Sequence, residues 1–86
     1  VQIEPQSPEV YVARGGTFHM LGQHEKGLAD RTQAIRLKPD FAEAYFARAN
    51  AYFLLDQFGK AQSDLQEALR LKPEWAEARE LMNATE

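Results

Sequence analysis

The sequence contains no cysteine, so this chain offers no disulfide bridge, thiolate zinc site or cysteine nucleophile. It also lacks the run of about 18 to 20 apolar residues that a transmembrane helix needs. Positive charge is not in excess, because the chain has 10 Lys and Arg residues and 13 Asp and Glu residues, for a net charge of -3. These features argue against membrane insertion and against sequence-independent binding to nucleic acid. The fold must be held together by packing alone.

The chain has 86 residues, 44% of them hydrophobic, which is enough for one small core. Its first residues, Val1 to Pro5, have neither a basic start nor an apolar stretch. No targeting segment is therefore recognised, which slightly favours a cytoplasmic location.

A repeat organises the chain. The segment Ile-Arg-Leu-Lys-Pro at residues 35–39 recurs as Leu-Arg-Leu-Lys-Pro at residues 69–73, an offset of 34 residues. Placing residues 5–38 on residues 39–72 without gaps gives 13 identical positions, where about two are expected by chance. A third copy begins near residue 72. The predicted units are an N-terminal arm, a first repeat, a second repeat and a C-terminal capping helix, over residues 1–7, 8–39, 40–73 and 74–86.

Both repeats have a helical composition, rich in Ala, Leu, Glu, Gln, Lys and Arg. Pro39 and Pro73 mark helix ends, because proline disfavours the helical conformation of the residue before it. Breaks at Gly22 and Asp56 predict tight turns, with Gly22 suited to a left-handed cap and Asp56 less so. The pattern predicts an all-α fold of helical hairpins, with helices near residues 8–21, 24–37, 42–55, 58–71 and 75–84.

Large and small residues alternate at defined positions of each hairpin. In the second repeat these are Tyr45, Ala49, Tyr52, Ala61, Leu65, Ala68 and a closing Pro73. In the first repeat they are Tyr11, Gly15, Phe18, Gly27, Arg31, Ala34 and Pro39. This pattern resembles the tetratricopeptide repeat (TPR), although Arg31 stands where that family has a large apolar residue. The resemblance implies stacked antiparallel hairpins in a right-handed α-solenoid that acts as a non-catalytic protein-interaction module.

The first helix of each repeat, helix A, carries two stripes of residues. One stripe, with Ala49 at its centre, is expected to pack on the second helix, helix B. The other stripe consists of Glu43, Phe46, Asn50 and Phe53, and of Glu9, Val12, Gly16 and His19 in the first repeat. A hairpin needs only one of these faces, so the second stripe is expected to be left uncovered by the hairpin itself.

The resemblance places this second stripe in a concave groove that binds peptide segments of other proteins. The expected peptide-binding residues are Val12, Gly16, His19, Met20, Phe46, Asn50, Phe53 and Leu54. An alternative is that neighbouring A helices cover Phe46 and Phe53. A homo-oligomer built by end-to-end stacking is the alternative function, because two repeats are fewer than the about three usually needed for a stable stack.

Some TPR domains hold the acidic C-termini of chaperones with a clamp of Lys, Asn and Arg side chains. The matching positions in this sequence are Val12, Gly16, Ala47, Glu77 and Leu81. None of them is a clamp residue, and Glu77 with Glu80 would repel a carboxylate. The resemblance therefore implies a protein or peptide partner that is not of this chaperone class.

No catalytic arrangement is recognised. His19 and His24 are five residues apart with a turn between them, so they are not expected to form a metal-binding face. Gly15 and Gly16 lack the Lys-Ser/Thr of a phosphate loop. The only serines, Ser7 and Ser63, have no histidine placed to activate them. The sequence predicts neither an enzyme nor a cofactor or metal site.

Overall fold

The computed structural model describes residues 7–86, which form five α-helices and no strand. The helices are α1 Pro8–Met20, α2 His24–Leu37, α3 Ala42–Leu54, α4 Phe58–Leu71 and α5 Ala76–Ala84. Each bound lies within one residue of the predicted one. The predicted N-terminal arm lies outside the described residues except for Ser7. Within the described part of the chain, no helix is long and apolar enough to cross a bilayer.

Local chemistry explains where these helices begin and end. The Ser7 hydroxyl accepts a hydrogen bond from the Val10 backbone N–H at 3.3 Å and caps α1. The turns after α1 and α3 contain Gly22 with φ 77° and Asp56 with φ 61°. The left-handed cap predicted at Gly22 is confirmed, and Asp56 takes the same conformation at the equivalent position, which few side chains adopt without strain.

The helices stack in chain order. Helices α1 and α2 form one antiparallel hairpin, and α3 and α4 form the next. Helix α2 packs on α3, and α4 packs on α5, so α5 lies against the second hairpin. The result is an elongated body of 47 × 27 × 17 Å. The prediction of an all-α fold of stacked helical hairpins is confirmed.

The second hairpin has an apolar core. Ala49, Ala61, Leu65 and Ala78 form a buried cluster, in which Leu65 is the largest side chain with no exposed surface. The small alanines let α3 and α4 approach closely while Leu65 fills the space between them. The predicted pairing of the Ala49 stripe with the helix B stripe is therefore confirmed.

The first hairpin has a polar core at the same positions. A methyl group at Gly15 would lie 2.9 Å from the Gly27 carbonyl oxygen, and one at Gly27 would lie 2.7 Å from the Gly15 carbonyl oxygen. Glycine is thus required by the close approach of α1 and α2. Arg31 takes the place of Leu65 and is only 9% exposed, and burial lowers its pKa. Its Nη1 donates to the Ala47 carbonyl oxygen at 3.2 Å, while its Nε has no hydrogen-bond partner among residues 7–86.

One ion pair joins the two helices of each hairpin. Arg14 binds Asp30 in the first hairpin and Arg48 binds Asp64 in the second, each with an Nε–Oδ2 distance of 2.7 Å. A second N–H of each guanidinium reaches the other carboxylate oxygen, so both pairs are bidentate. Hydrogen bonding to Asp64 raises the pKa of Arg48. The arginine just before the small residue of helix A therefore locks helix A to helix B.

Candidate functional site

A cleft of about 370 Å³ opens between α3 and α5. Its lining combines apolar side chains with one amide and two carboxylates: Phe46, Asn50, Phe53, Glu77, Glu80, Leu81 and Ala84. Three residues of the predicted peptide-binding stripe therefore meet at one site. Because Asn50 is exposed, its amide is free to hydrogen-bond a molecule in the cleft.

The two phenylalanines of the cleft are half-buried. The Phe46 ring centre lies 4.7 Å from that of Trp75, in the turn before α5. The Phe53 ring centre lies 5.3 Å from that of Phe58, in α4. The prediction that the hairpin itself leaves Phe53 uncovered is wrong, because Phe58 begins helix B of the same hairpin and reaches across to it. Both rings still contribute to the wall of the cleft.

The remaining predicted residues do not line this cleft. Val12, Gly16 and His19 lie half-buried on α1, at the repeat positions of the cleft residues on α3. Met20 is 88% exposed and Leu54 is 53% exposed, each at the C-terminal end of its helix. The structure therefore brings together the central residues of the second repeat and leaves Met20 and Leu54 at the hairpin tips.

His19 and His24 are in direct contact, with their Nδ1 atoms 2.7 Å apart. Their contact arises because the chain reverses at this turn and returns His24 to the end of α1. One ring must donate and the other accept, so at least one ring is neutral. Burial, together with the nearby charges of Arg31 and His24, lowers the pKa of His19. No group of three or more metal-ligating side chains occurs within residues 7–86.

Sequence reasoning missed the share of α5 in the cleft. None of the expected peptide-binding residues lies on α5, but Glu77 and Glu80 both line the cleft beside Leu81. The signal was present in the third copy of the repeat, since Glu77 and Leu81 occupy the repeat positions of Glu43 and Ala47. Helix α5 thus lines the cleft in the position that helix A would take in a third repeat.

Comparisons with known proteins agree with this architecture. The family model "TPR repeat" matches residues 17–56, and the family model "Tetratricopeptide repeat" matches residues 42–75. A search of curated protein sequences finds no match.

Among solved structures, the chain is similar to the "First TPR of Spaghetti (RPAP3) bound to HSP90 peptide SRMEEVD". The match has 24% sequence identity and a TM-score of 0.90, and it covers 99% of this chain and 68% of that chain. At this identity the likeness establishes the fold. The family models, the fold and the 34-residue repeat together establish that the chain belongs to the tetratricopeptide-repeat family.

Proposed function

We propose that this chain is a protein-interaction module that binds an extended peptide segment of a partner protein in the cleft between α3 and α5. TPR repeats are a non-catalytic protein-interaction fold. The observation that carries the proposal is the apolar wall of Phe46, Phe53 and Leu81 beside the exposed amide of Asn50. An apolar wall with one orienting hydrogen-bond group suits a peptide whose side chain enters the cleft while its backbone bonds the amide.

A second surface is less suited to this role. A cleft of about 500 Å³ lies on the B helices, between α2 and α4. Its lining includes the charged groups of Glu25, Arg36 and Lys60. Only Leu28, Ala29 and Tyr52 of its nine lining residues are apolar or aromatic. Four of the seven lining residues of the cleft between α3 and α5 are apolar, so that cleft buries an apolar side chain better.

The similarity to the TPR of Spaghetti supports peptide binding as the mode of action, since that domain is described with a bound peptide. Its peptide ends in Glu-Glu-Val-Asp and is therefore acidic. The clamp positions of this chain hold no cation, because they are Val12, Gly16, Ala47, Glu77 and Leu81. We therefore propose the same mode of binding with a partner of different chemistry.

The test is to block the cleft without disturbing the core. Asn50 is exposed, so Asn50→Trp fills the cleft while the helices keep their packing. Gln66→Trp is the matched control, because Gln66 is exposed on α4 away from the cleft. Displayed random 12-residue peptides are selected on the wild-type chain and then tested on both variants. Loss of binding on Asn50→Trp alone supports the proposal, whereas equal binding to both variants refutes it.

End-to-end assembly is the second candidate function. Val10, in α1 at the end of the stack, is 46% exposed, and Leu21, which follows α1, is 65% exposed. A second copy would cover these side chains. Sedimentation velocity at 10 µM and 200 µM separates the candidates, because an assembling chain sediments faster at the higher concentration and a monomeric module does not.

A further inference from the structure

The cleft between α3 and α5 has an acidic rim above its apolar wall. Glu77 and Glu80 are three residues apart on α5, so their side chains lie on the same side of the helix. Both side chains are exposed. A peptide whose apolar side chain enters the cleft must therefore pass two carboxylates.

These carboxylates are not neutralised within the described chain. Neither Glu77 nor Glu80 takes part in the ion pairs formed among residues 7–86. Within the described part of the chain, the one hydrogen bond to the Glu77 carboxylate comes from the Trp75 indole N–H, at 3.3 Å from Oε1. The nearby cation Arg79 is engaged elsewhere, since its Nη2 donates to the Pro73 carbonyl oxygen at 2.6 Å. The rim therefore keeps its negative charge.

The glutamates at the start of the other A helices differ from those of α5. Glu43 pairs with Lys72 at 3.1 Å, and Glu9 approaches Lys38 at 4.0 Å. The Glu43 backbone N–H and the Lys72 ammonium lower the pKa of the Glu43 carboxyl. Negative charge without a counter-ion is thus concentrated on α5, directly beside the apolar wall.

We propose that the cleft binds a basic peptide segment, in which Lys or Arg flanks a large apolar residue. This inference rests on the proposed function and adds the partner's chemistry to it. The apolar residue contacts Phe46 and Leu81, while the flanking cations lie against Glu77 and Glu80 at a few ångströms, well inside the Debye length of about 8 Å at physiological salt. Charge complementarity of this kind selects among partners by repelling acidic ones.

A second copy of the chain is a poorer occupant than a basic partner. Residues 74–86 carry four glutamates and one arginine, and the whole chain has a net charge of -3. Two copies that met through this end would bring like charges together. A basic segment of another protein therefore complements this end better than the same end of a second copy does.

Three labelled 12-residue peptides test the proposal by fluorescence anisotropy. All contain a central leucine, which is flanked by two lysines in the first, two glutamines in the second and two glutamates in the third. We expect the basic peptide to bind about tenfold more tightly than the neutral one and the acidic peptide to bind most weakly. Raising the salt from 50 to 300 mM reduces the advantage of the basic peptide.

The variant Glu77→Gln/Glu80→Gln removes the rim charge and, since both residues are exposed, leaves the core untouched. It is expected to reduce the advantage of the basic peptide to less than about threefold. Glu25→Gln/Asp40→Asn is the matched control, because it removes the same charge from exposed positions outside the cleft. If the control reduces the advantage of the basic peptide as much as the test variant does, the attraction comes from the net charge of the chain and the proposal is overturned.

The outcomes also separate this proposal from the proposed function. If the basic and neutral peptides bind with equal affinity, and Asn50→Trp abolishes the binding of both, the cleft binds peptides but does not prefer basic ones. This result supports the proposed function and overturns the proposed specificity. Tighter binding of the acidic peptide overturns the specificity as well. If none of the peptides binds, and the displayed library yields no Asn50-dependent binder, the groove function itself fails. Self-association that Glu77→Gln/Glu80→Gln strengthens would identify a second copy as the occupant instead.

Discussion

The same substitution, glycine to alanine, is expected to have opposite effects at two glycines of the B helices. Gly59 lies in the first turn of α4, and a methyl group there meets nothing within 4 Å. Gly27 lies in α2, where the same methyl group would be 2.7 Å from the Gly15 carbonyl oxygen and 2.9 Å from the His19 ring. The space around each glycine, and not the residue type, therefore decides whether alanine raises or lowers the free energy of unfolding.

The magnitudes follow from two competing terms. Alanine in place of glycine stabilises a helix by about 0.5–1 kcal/mol, because glycine loses more backbone freedom on folding. Forcing a methyl group into a filled space costs about 1–3 kcal/mol. Gly59→Ala is therefore expected to raise the free energy of unfolding by about 0.5 kcal/mol. Gly27→Ala is expected to lower it by about 1 kcal/mol, which is an overpacking cost of about 2 kcal/mol less the gain in helix propensity.

Urea unfolding followed by circular dichroism at 222 nm measures both variants against the wild type. Ala61→Gly is the reverse control, since Ala61 occupies the repeat position of Gly27 and is fully buried. It is expected to destabilise by at least the helix-propensity term of about 1 kcal/mol. If Gly27→Ala stabilises the chain as much as Gly59→Ala does, the close approach of α1 and α2 does not limit packing and the reasoning fails.

The remaining predictions concern the two ends of the stack and the histidine pair. Amide hydrogen exchange is expected to be faster across residues 8–37 than across 42–71, because the first hairpin has a polar core; equal protection would contradict this. A chain that ends at Lys72 is expected to lose about 2–5 kcal/mol of stability or to aggregate, since it lacks the α5 contacts with Leu65; an unchanged melting midpoint would show that α5 is not a cap. The pKa of His19 is lowered in the folded chain, so stability is full above the ordinary value of 6.5 and falls as the pH drops from there toward the lowered pKa. Unfolding midpoints at pH 7.5 and 5.5 measure this loss, and His19→Phe/His24→Phe is expected to abolish it.

Much of the fold could be predicted from the sequence because repetition and local chemistry agree. Pro39 and Pro73 stop helices through a steric effect on the preceding residue, which needs no knowledge of the rest of the chain. The left-handed turn at Gly22 is equally local. The stripe of Ala61 and Leu65 follows from helical periodicity alone. Each of these features depends on residues within one or two turns of each other, so the sequence predicts them directly.

The contacts across turns and between repeats could not be predicted in this way. A spacing of five residues fixes the relative direction of His19 and His24 only on a continuous helix, and the turn between them interrupts that helix. Stacking of Phe46 on Trp75 depends on how closely the turn before α5 approaches α3, a distance set by packing between elements. The bond from Arg31 to the Ala47 carbonyl oxygen likewise joins one repeat to the next. Such contacts depend on tertiary geometry.

Comparison of the two hairpins explains why the candidate site lies at the C-terminal end. Five positions change together from the second repeat to the first: Ala49 to Gly15, Ala61 to Gly27, Leu65 to Arg31, Phe53 to His19 and Phe58 to His24. In the first repeat, glycines replace the two alanines around the buried side chain of Arg31, which is larger than that of Leu65. The contact between Phe53 and Phe58 is replaced at the same positions by the contact between His19 and His24. The first repeat therefore presents a buried cation and imidazoles beneath α1, whereas the second presents phenylalanines below an acidic rim. A peptide with an apolar anchor and flanking cations gains burial and charge pairing only at the second repeat, so we expect it to bind in one register, centred on the cleft between α3 and α5.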